Sequence, residues 1–356
     1  MKKNKKILFP FVGDSLGGSH ISTLMLIDEL QNSNYDVEIL LYSKGILSKY
    51  LDENDYEYFL EENMFFCPKG RFFSIFFKII RANFSSIFFL RKKTFDVVHT
   101  NDIRMHYSWF IASSLLSKHI WHQRSIAKNS MFLAIFSSKV ITITDFCKKS
   151  FPVIFRSKAI VVKDPVYIEK KSAEDVKESN IIKLLWVANL VKSKRIEDAL
   201  YIIKKIKESH KVILNVVGEL REPVYSEACL LIKELGIADS VNFVGFSSNI
   251  AAWISSSDIL LATAENEGMG RTLIEAMLLG TPVVASADGG HLEVITNQVS
   301  GLLVPLGDID GFCSAVLKLK FDTFLSSKLT NNARSLAMSE FSPKTHKEQI
   351  VRLYDI

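Results

Sequence analysis

Short apolar runs alternate along the chain with longer amphipathic stretches, and glycine, proline or aspartate marks many of the joins. In the first half the runs fall at 7–12, 36–41, 56–60, 95–102, 118–121, 139–144 and 159–162. In the second half they fall at 182–187, 212–217, 241–244, 259–262, 282–285 and 301–304. Runs of this kind, bounded by turn residues, predict strands buried on both faces. Helical spacing follows near 195–208, 225–235, 249–255, 273–279 and 311–319, with a last helix over 344–354. Regular strand-helix alternation implies parallel sheets covered by helices on both sides, the α/β doubly wound class. The polar, aperiodic segment 168–180 reads as a linker between an N-terminal domain at 1–167 and a C-terminal domain at 181–341, each able to bury its own core.

Two joins carry more than turn chemistry. The first run passes into Gly13-Asp14-Ser15-Leu16-Gly17-Gly18 and then a helix over 19–30, the opening unit of a doubly wound sheet. The 259–262 run passes into Ala264-Glu265-Asn266-Glu267-Gly268-Met269-Gly270-Arg271-Thr272-Leu273-Ile274-Glu275-Ala276-Met277. Glycines where a strand turns into a helix leave backbone N–H groups at the positive end of the helix dipole, which suits a phosphate. Glu267 and Glu275 bracket that turn. Thr272 and Glu275 also have capping-box spacing, which by itself is a structural role.

Glu267 and Glu275 around Gly268 and Gly270, followed by Glu275-Ala276-Met277, Gly280, Pro282-Val283-Val284-Ala285, Gly289-Gly290, Glu293 and Gly301-Leu302-Leu303-Val304, resemble the signature of the group 1, family 4-like, retaining glycosyltransferases. The resemblance implies the GT-B architecture: two Rossmann-like domains facing each other across a cleft, with a C-terminal helix, 342–356, crossing back onto the acceptor-side N-terminal domain. It implies a UDP- or GDP-linked sugar as substrate, with no separate cofactor. The acceptor would be lipid-linked or a polysaccharide, as in the synthesis of cell-surface polysaccharide such as lipopolysaccharide or capsule.

Breaking the donor's glycosidic bond leaves negative charge on a diphosphate while positive charge grows on the sugar, so the site needs cations and N–H donors at one end and carboxylates at the other. By resemblance, Glu275 holds the ribose hydroxyls, Glu267 the donor sugar, and the N–H groups of Gly268, Met269, Gly270, Arg271, Thr272 and Leu273 meet the phosphates and sugar. Gly17 and Gly18 would lie against the donor phosphates, Gly218 and Val244 would line the nucleoside, and Glu267, Lys194 and His99 would act in catalysis. Two positions depart from the pattern. Asn189 stands where the family has the arginine that pairs with Lys194, and His99-Thr100-Asn101 replaces His-x-His. An amide donates a hydrogen bond without charge, so it stabilises a leaving diphosphate less than a guanidinium does. Arg195, Arg271 or Lys192 could compensate, or turnover is slow. A non-catalytic nucleotide-sugar-binding relative at a membrane is the competing reading; a sugar epimerase lacks a supporting acid-base pair. No carboxylate is placed as a nucleophile, which points to a same-face mechanism. Asp308-Ile309-Asp310 sits at a helix start and reads as a cap, so no metal site is expected.

Charge changes the picture in the first half alone. Residues 1–168 hold 23 basic and 15 acidic side chains, a net of +8, which leaves 21 and 24, a net of −3, for the remainder. No nucleic-acid-binding motif accompanies this excess. Seven basic residues and no acidic one fall within 69–93, between clusters of phenylalanine and isoleucine. The combination suits helices lying on an anionic membrane surface, while the alternative is that the phenylalanines fill the core. With no charge-free apolar segment of ~20 residues and only a short apolar run after the basic N-terminus, the expected location is cytoplasmic, peripheral on the inner face of the cell membrane. The scattered Cys67, Cys147, Cys229 and Cys313 read as reduced thiols.

Overall fold

The computed structural model describes residues 4–33, 35–68, 70, 72–126, 129–169 and 180–355. Most of the expected linker, 170–179, and Lys69 and Arg71 of the basic segment lie outside these residues. The contacts divide the chain into two units, Met1–Pro165 with Pro343–Ile356, and Val166–Ser342.

In the first unit, β1 (Lys5–Phe11), β2 (Tyr35–Leu41), β3 (Phe59–Leu60), β4 (Val97–Thr100), β5 (Lys118–Gln123), β6 (Lys139–Thr142) and β7 (Ala159–Val161) form a sheet in the order β3-β2-β1-β4-β5-β6-β7. In the second, β8 (Ile182–Val187), β9 (Val212–Val217), β10 (Val241–Gly245), β11 (Ile259–Ala262), β12 (Val283–Ser286) and β13 (Leu302–Val304) run β10-β9-β8-β11-β12-β13. The strand pairings are parallel, from Ile7 beside Val37 to Val284 beside Leu302. Parallel sheets need both faces covered, and the central strands meet that demand: Ile7, Leu8 and Phe9, like Leu184, Leu185 and Trp186, are buried whichever face they point to. The expected α/β class, two Rossmann-like sheets, is the class observed. Each sheet reverses its winding once, between β1 and β4 and between β8 and β11, and ligands of such sheets bind outside the carboxyl ends at that reversal.

The helices Ile46–Glu53 and Ile103–Leu116 were not placed from the sequence, and two further elements differ from its reading. The helix Thr323–Glu340 was not expected, because its serines, threonines and asparagines favour caps and turns. Tertiary packing of Leu329, Ala333 and Ala337, spaced i, i+4, i+8, holds it instead. The basic segment forms a single helix, Phe72–Lys92, with two distinct faces. Ile75, Ile79, Ala82, Asn83, Ser86 and Leu90 turn inward. Asn83 donates to Tyr107 O (2.7 Å) and accepts from Ile111 N (2.9 Å), and Ser86 donates to Ser108 O (2.9 Å), which joins this face to the helix Ile103–Leu116. Phe77, Phe84 and Phe88 face outward, 82%, 62% and 66% exposed. Phe89 alone of the later phenylalanines packs inside, stacked on Phe59 and Phe95 and edge-on to Trp109. Among the described residues no helix is long and apolar enough to cross a membrane.

Candidate active site

The winding of the second sheet reverses between β8 and β11, and the loops leaving these two strands meet there. After β8 the chain makes a short turn, Lys192–Lys194, and Glu265 N donates to Ser193 O (2.8 Å), which fixes that turn against the loop after β11. Lys194 Nζ donates to Glu267 Oε2 across the reversal. Neither side chain is sealed off, with 28% and 20% of the side-chain surface exposed. The helix Arg271–Leu279 then starts at Gly270, whose left-handed φ of +91° turns the chain from loop to helix.

A second loop buttresses the first through main chain. Gly290 N donates to Glu267 O (2.7 Å), and Asp288 accepts from Asn266 N. A Cβ at Gly290 would fall 2.3 Å from Gly268 O, so only glycine lets the two loops approach this closely. The glycine pair read from the sequence as part of a motif is therefore the support on which Glu267 rests. His291, which the sequence reading did not single out, follows it, buried with Nδ1 3.1 Å from Ser286 Oγ. Its place directly after the Gly-Gly pair was the signal available.

The two carboxylates are set differently. Burial opposes ionisation of Glu267, but the Lys194 charge and hydrogen bond, with His291 and the Gly268 N–H, outweigh it and hold the carboxyl below its ordinary range. Burial pushes Glu275 up, and Arg271, with Nε 2.9 Å from Oε1, offsets only part of that rise. Glu275 thus bonds to the Arg271 side chain, while Gly270, not Thr272, caps the helix. The N–H row is shorter than expected: Leu273 N donates to Gly270 O (3.0 Å), and the Leu273 side chain is core.

The flanking positions gather on the same carboxyl edge. Ala188 N donates to Val217 O (3.0 Å) and Gly218 N to Gly245 O (2.9 Å), which stitches the ends of β8, β9 and β10 together beside Val244. Gly218, at φ +144°, passes so close to Ala188 that a Cβ would meet its oxygen at 2.0 Å. The Asn189 amide oxygen accepts from Glu219 N (3.0 Å), so the side chain offers its N–H groups alone as donors. Arg195 Nε donates to Asp198 (2.8 Å), and Nη1 lies 3.7 Å from Glu265. Asp308 accepts from Gly311 N (2.9 Å) as the cap of the helix Ile309–Phe321.

The first unit's reversal is built otherwise. Gly17 caps the helix Gly18–Gln31, and its N–H donates to His20 Nδ1 (3.2 Å). Arg104 donates to Asp14 (Nη2 to Oδ1, 2.9 Å), a pair not singled out from the sequence. Thr23 donates to Asn101 Oδ1 (3.1 Å), which also accepts from Arg124 (2.7 Å). His99, expected to act in catalysis, is 0% exposed, stacked on Phe9 with ring centroids 5.0 Å apart. Its Nδ1 lies 2.6 Å from the Tyr354 hydroxyl and its Nε2 3.2 Å from His122 Nδ1, so both nitrogens are engaged inside the unit. His99 thus lies at a strand end inside the first unit, with the Tyr354 hydroxyl on one nitrogen and His122 on the other.

Residues 168–336 match the model of the family described as glycosyl transferases group 1. N-acetyl-alpha-D-glucosaminyl L-malate synthase of Bacillus anthracis is 30% identical over 54% of this chain and 50% of its own length, so the chain matches about half of that relative. UDP-Gal:alpha-D-GlcNAc-diphosphoundecaprenol alpha-1,3-galactosyltransferase of Escherichia coli is 24% identical over 95% of this chain and 94% of its own length. The crystal structure of Anabaena Alr3699/HepE in complex with UDP and glucose superposes with a TM-score of 0.81 at 20% identity, covering 99% of this chain and 100% of that one. That likeness is one of fold, and the fold is GT-B.

Proposed function

We propose that this protein is a retaining, family 4-like glycosyltransferase that moves a hexosyl group from a UDP- or GDP-linked donor to a lipid-linked or polysaccharide acceptor in cell-surface polysaccharide synthesis. The observation that carries the reading is the meeting of Lys194 and Glu267 at the second sheet's reversal, beside a helix N-terminus. A lysine there stabilises the leaving diphosphate, and a carboxylate held ionised accepts hydrogen bonds from the donor sugar. When a donor enters, Lys194 exchanges the Glu267 carboxylate for phosphate oxygens, which frees Glu267 for the sugar. Glu275, next to Arg271, takes the ribose hydroxyls. The step is same-face: the departing phosphate oxygen accepts the acceptor's hydroxyl proton as the new glycosidic bond forms, so no metal ion or protein nucleophile is needed. Support for the chemistry comes also from the family match over 168–336 and from a relative named as a galactosyltransferase.

A specific observation favours a second reading, binding without turnover. Asn189 carries no charge, and Arg195 and Arg271, like Lys194, each face a carboxylate, so a diphosphate would gain its cation only as Lys194 exchanges Glu267 for it. Thermal-shift screening against UDP- and GDP-sugars finds the donor, since a ligand at 100 times its Kd adds about 2.7 kcal/mol of stability. Transfer to a polyprenyl-linked glycan that is lost in Glu275→Ala with the fold intact supports the transferase. Stabilisation without hydrolysis or transfer supports the second reading, and no response to any donor sinks both.

The outward face of the helix Phe72–Lys92 supports a peripheral membrane location on the cytoplasmic side. Phe77, Phe84 and Phe88 lie on one stripe, with Lys78, Arg81, Arg91 and Lys92 on the same helix to meet anionic headgroups.

A further inference from the structure

Where the chain leaves the first unit and where it returns, three buried side chains converge. His122 lies in β5, Asp164 follows β7 just before the exit at Pro165, and His346 sits in the helix Pro343–Asp355 that brings the chain back. One ligand atom from each lies within 4.8 Å of the other two. Among the described residues, Nε2 of both histidines is buried with no hydrogen-bond partner. Buried polar nitrogens ordinarily have a partner, so two at one spot require an explanation.

The proton positions supply one. His346 Nδ1 lies 2.8 Å from the Lys163 carbonyl oxygen, which can only accept, so Nδ1 carries the proton and Nε2 presents a lone pair. Metal-bound histidines are held in this way, the second nitrogen donating to a carbonyl or carboxylate. His122 can be set likewise: Nδ1–H donates to His99 Nε2 at 3.2 Å, and His99 Nδ1–H donates to the Tyr354 oxygen at 2.6 Å. Asp164 Oδ1 is 3.5 Å from His122 Nε2. The edge of a tetrahedron with metal–ligand bonds of about 2.1 Å measures about 3.4 Å. Arg124 is the charge that faces the cluster. Its Nε donates to both Asp164 oxygens (2.9 and 2.7 Å), and its Nη2 lies 3.2 Å from His122 Nδ1. Binding a cation leaves Oδ2 to Arg124 and requires Nη2 to give way to the bond between the two histidines.

We propose that His122, Asp164 and His346 bind one divalent transition-metal ion of the zinc class, as a structural clasp of the first unit. Two imidazoles and a carboxylate are a borderline donor set that suits zinc and cobalt(II). The ion ties the end of the outgoing strand to the returning helix, and so fixes both ends of the excursion through 166–342 within one unit. Sequence spacing conceals such a site because its ligands come from three distant segments.

The test uses the full chain without a polyhistidine tag, stripped with a chelator, gel-filtered and offered Co2+ or Zn2+. The expected result is one ion per chain, with the visible absorption of tetrahedral cobalt(II), bleached by Zn2+, and a thermal midpoint that rises when Zn2+ is restored. His346→Ala and Asp164→Asn weaken binding at least about tenfold, whereas His210→Ala, outside the cluster, leaves it unchanged. If His346→Ala fails to fold, the stoichiometry and spectrum of the unaltered chain and of Asp164→Asn decide. Failure to retain either ion through gel filtration, or unchanged affinity in the folded ligand variants, overturns the proposal. The readout is metal content, so either outcome leaves the donor reading untouched.

Discussion

At the carboxyl edge of the second sheet, Lys194 and Glu267 face each other across the reversal and stay partly exposed, resting on the main chain of a second loop. At the same edge of the first sheet, Thr23, Asn101, Arg124, Asp164, His122, His99 and Tyr354 form a chain of contacts in which most members are buried. The topology is shared and the setting of the polar groups differs. Polar groups that bond mainly to one another inside a packed unit hold its strands in place, whereas an ion pair kept partly solvated can exchange its partner for a ligand. The position of a motif on a strand end therefore does not by itself distinguish a site from a scaffold; the fate of each donor and acceptor does.

The sharpest way to break that comparison is to remove charge from each edge in turn. Lys194→Ala and Glu267→Gln are expected to lower kcat by about a hundredfold to a thousandfold, the scale seen when one transition-state contact is lost. His99→Gln should affect folding stability and leave KM for the donor unchanged. Steady-state kinetics on the folded variants reads both, and a Lys194→Ala enzyme with full kcat would put the two edges in the same class.

Acid should separate the units next. His119 is buried with its pKa lowered to about 3, its Nε2 2.9 Å from Thr100 Oγ1 and its Nδ1 3.0 Å from Ser137 Oγ. The unfolded chain protonates this ring near the ordinary value of ~6.5, and the folded chain does not until far lower. Between those limits the unfolded state binds the extra proton, so stability is lost as pH falls, by about 1.4 kcal/mol per pH unit for each such histidine. Hydrogen exchange across a pH series should show the first unit opening before the second, and His119→Gln should flatten its slope; equal acid sensitivity of the two units would contradict this. The Lys194–Glu267 pair adds a smaller term in the second unit. The lowered Glu267 pKa contributes stability above the ordinary carboxylate range, which is lost only as pH falls through that depressed value.

A Cβ tests the main-chain support more gently. Gly290→Ala should cost about 1–3 kcal/mol by overpacking and weaken donor binding together with stability, read by urea unfolding and calorimetric titration. The mildest expected effect is at the surface: Arg91→Glu should lower affinity for vesicles containing anionic lipid several-fold, at about 1 kcal/mol per charge, without changing transfer to a soluble acceptor.

The strands were legible because most are short, largely apolar runs between turn residues, and the motif around Glu267, Gly270 and Glu275 because its spacing is local. The helix Thr323–Glu340 was not, since its buried stripe is one leucine and two alanines among hydroxyl and amide side chains. Nor was the clustering of His99 and His122 with Tyr354, because pairing across the sheet and the return of the last helix bring together residues far apart in sequence. The outward turn of Phe77, Phe84 and Phe88 depended on which face met the helix Ile103–Leu116, a choice made by Asn83 and Ser86.

Ile350, Leu353 and Tyr354 belong to the core built around β1 and β4, although Val166–Ser342 intervenes. On the ribosome the second unit's residues are therefore all available before the first unit can close. The half that is synthesised first must wait with part of its apolar interior uncovered, and it is completed last.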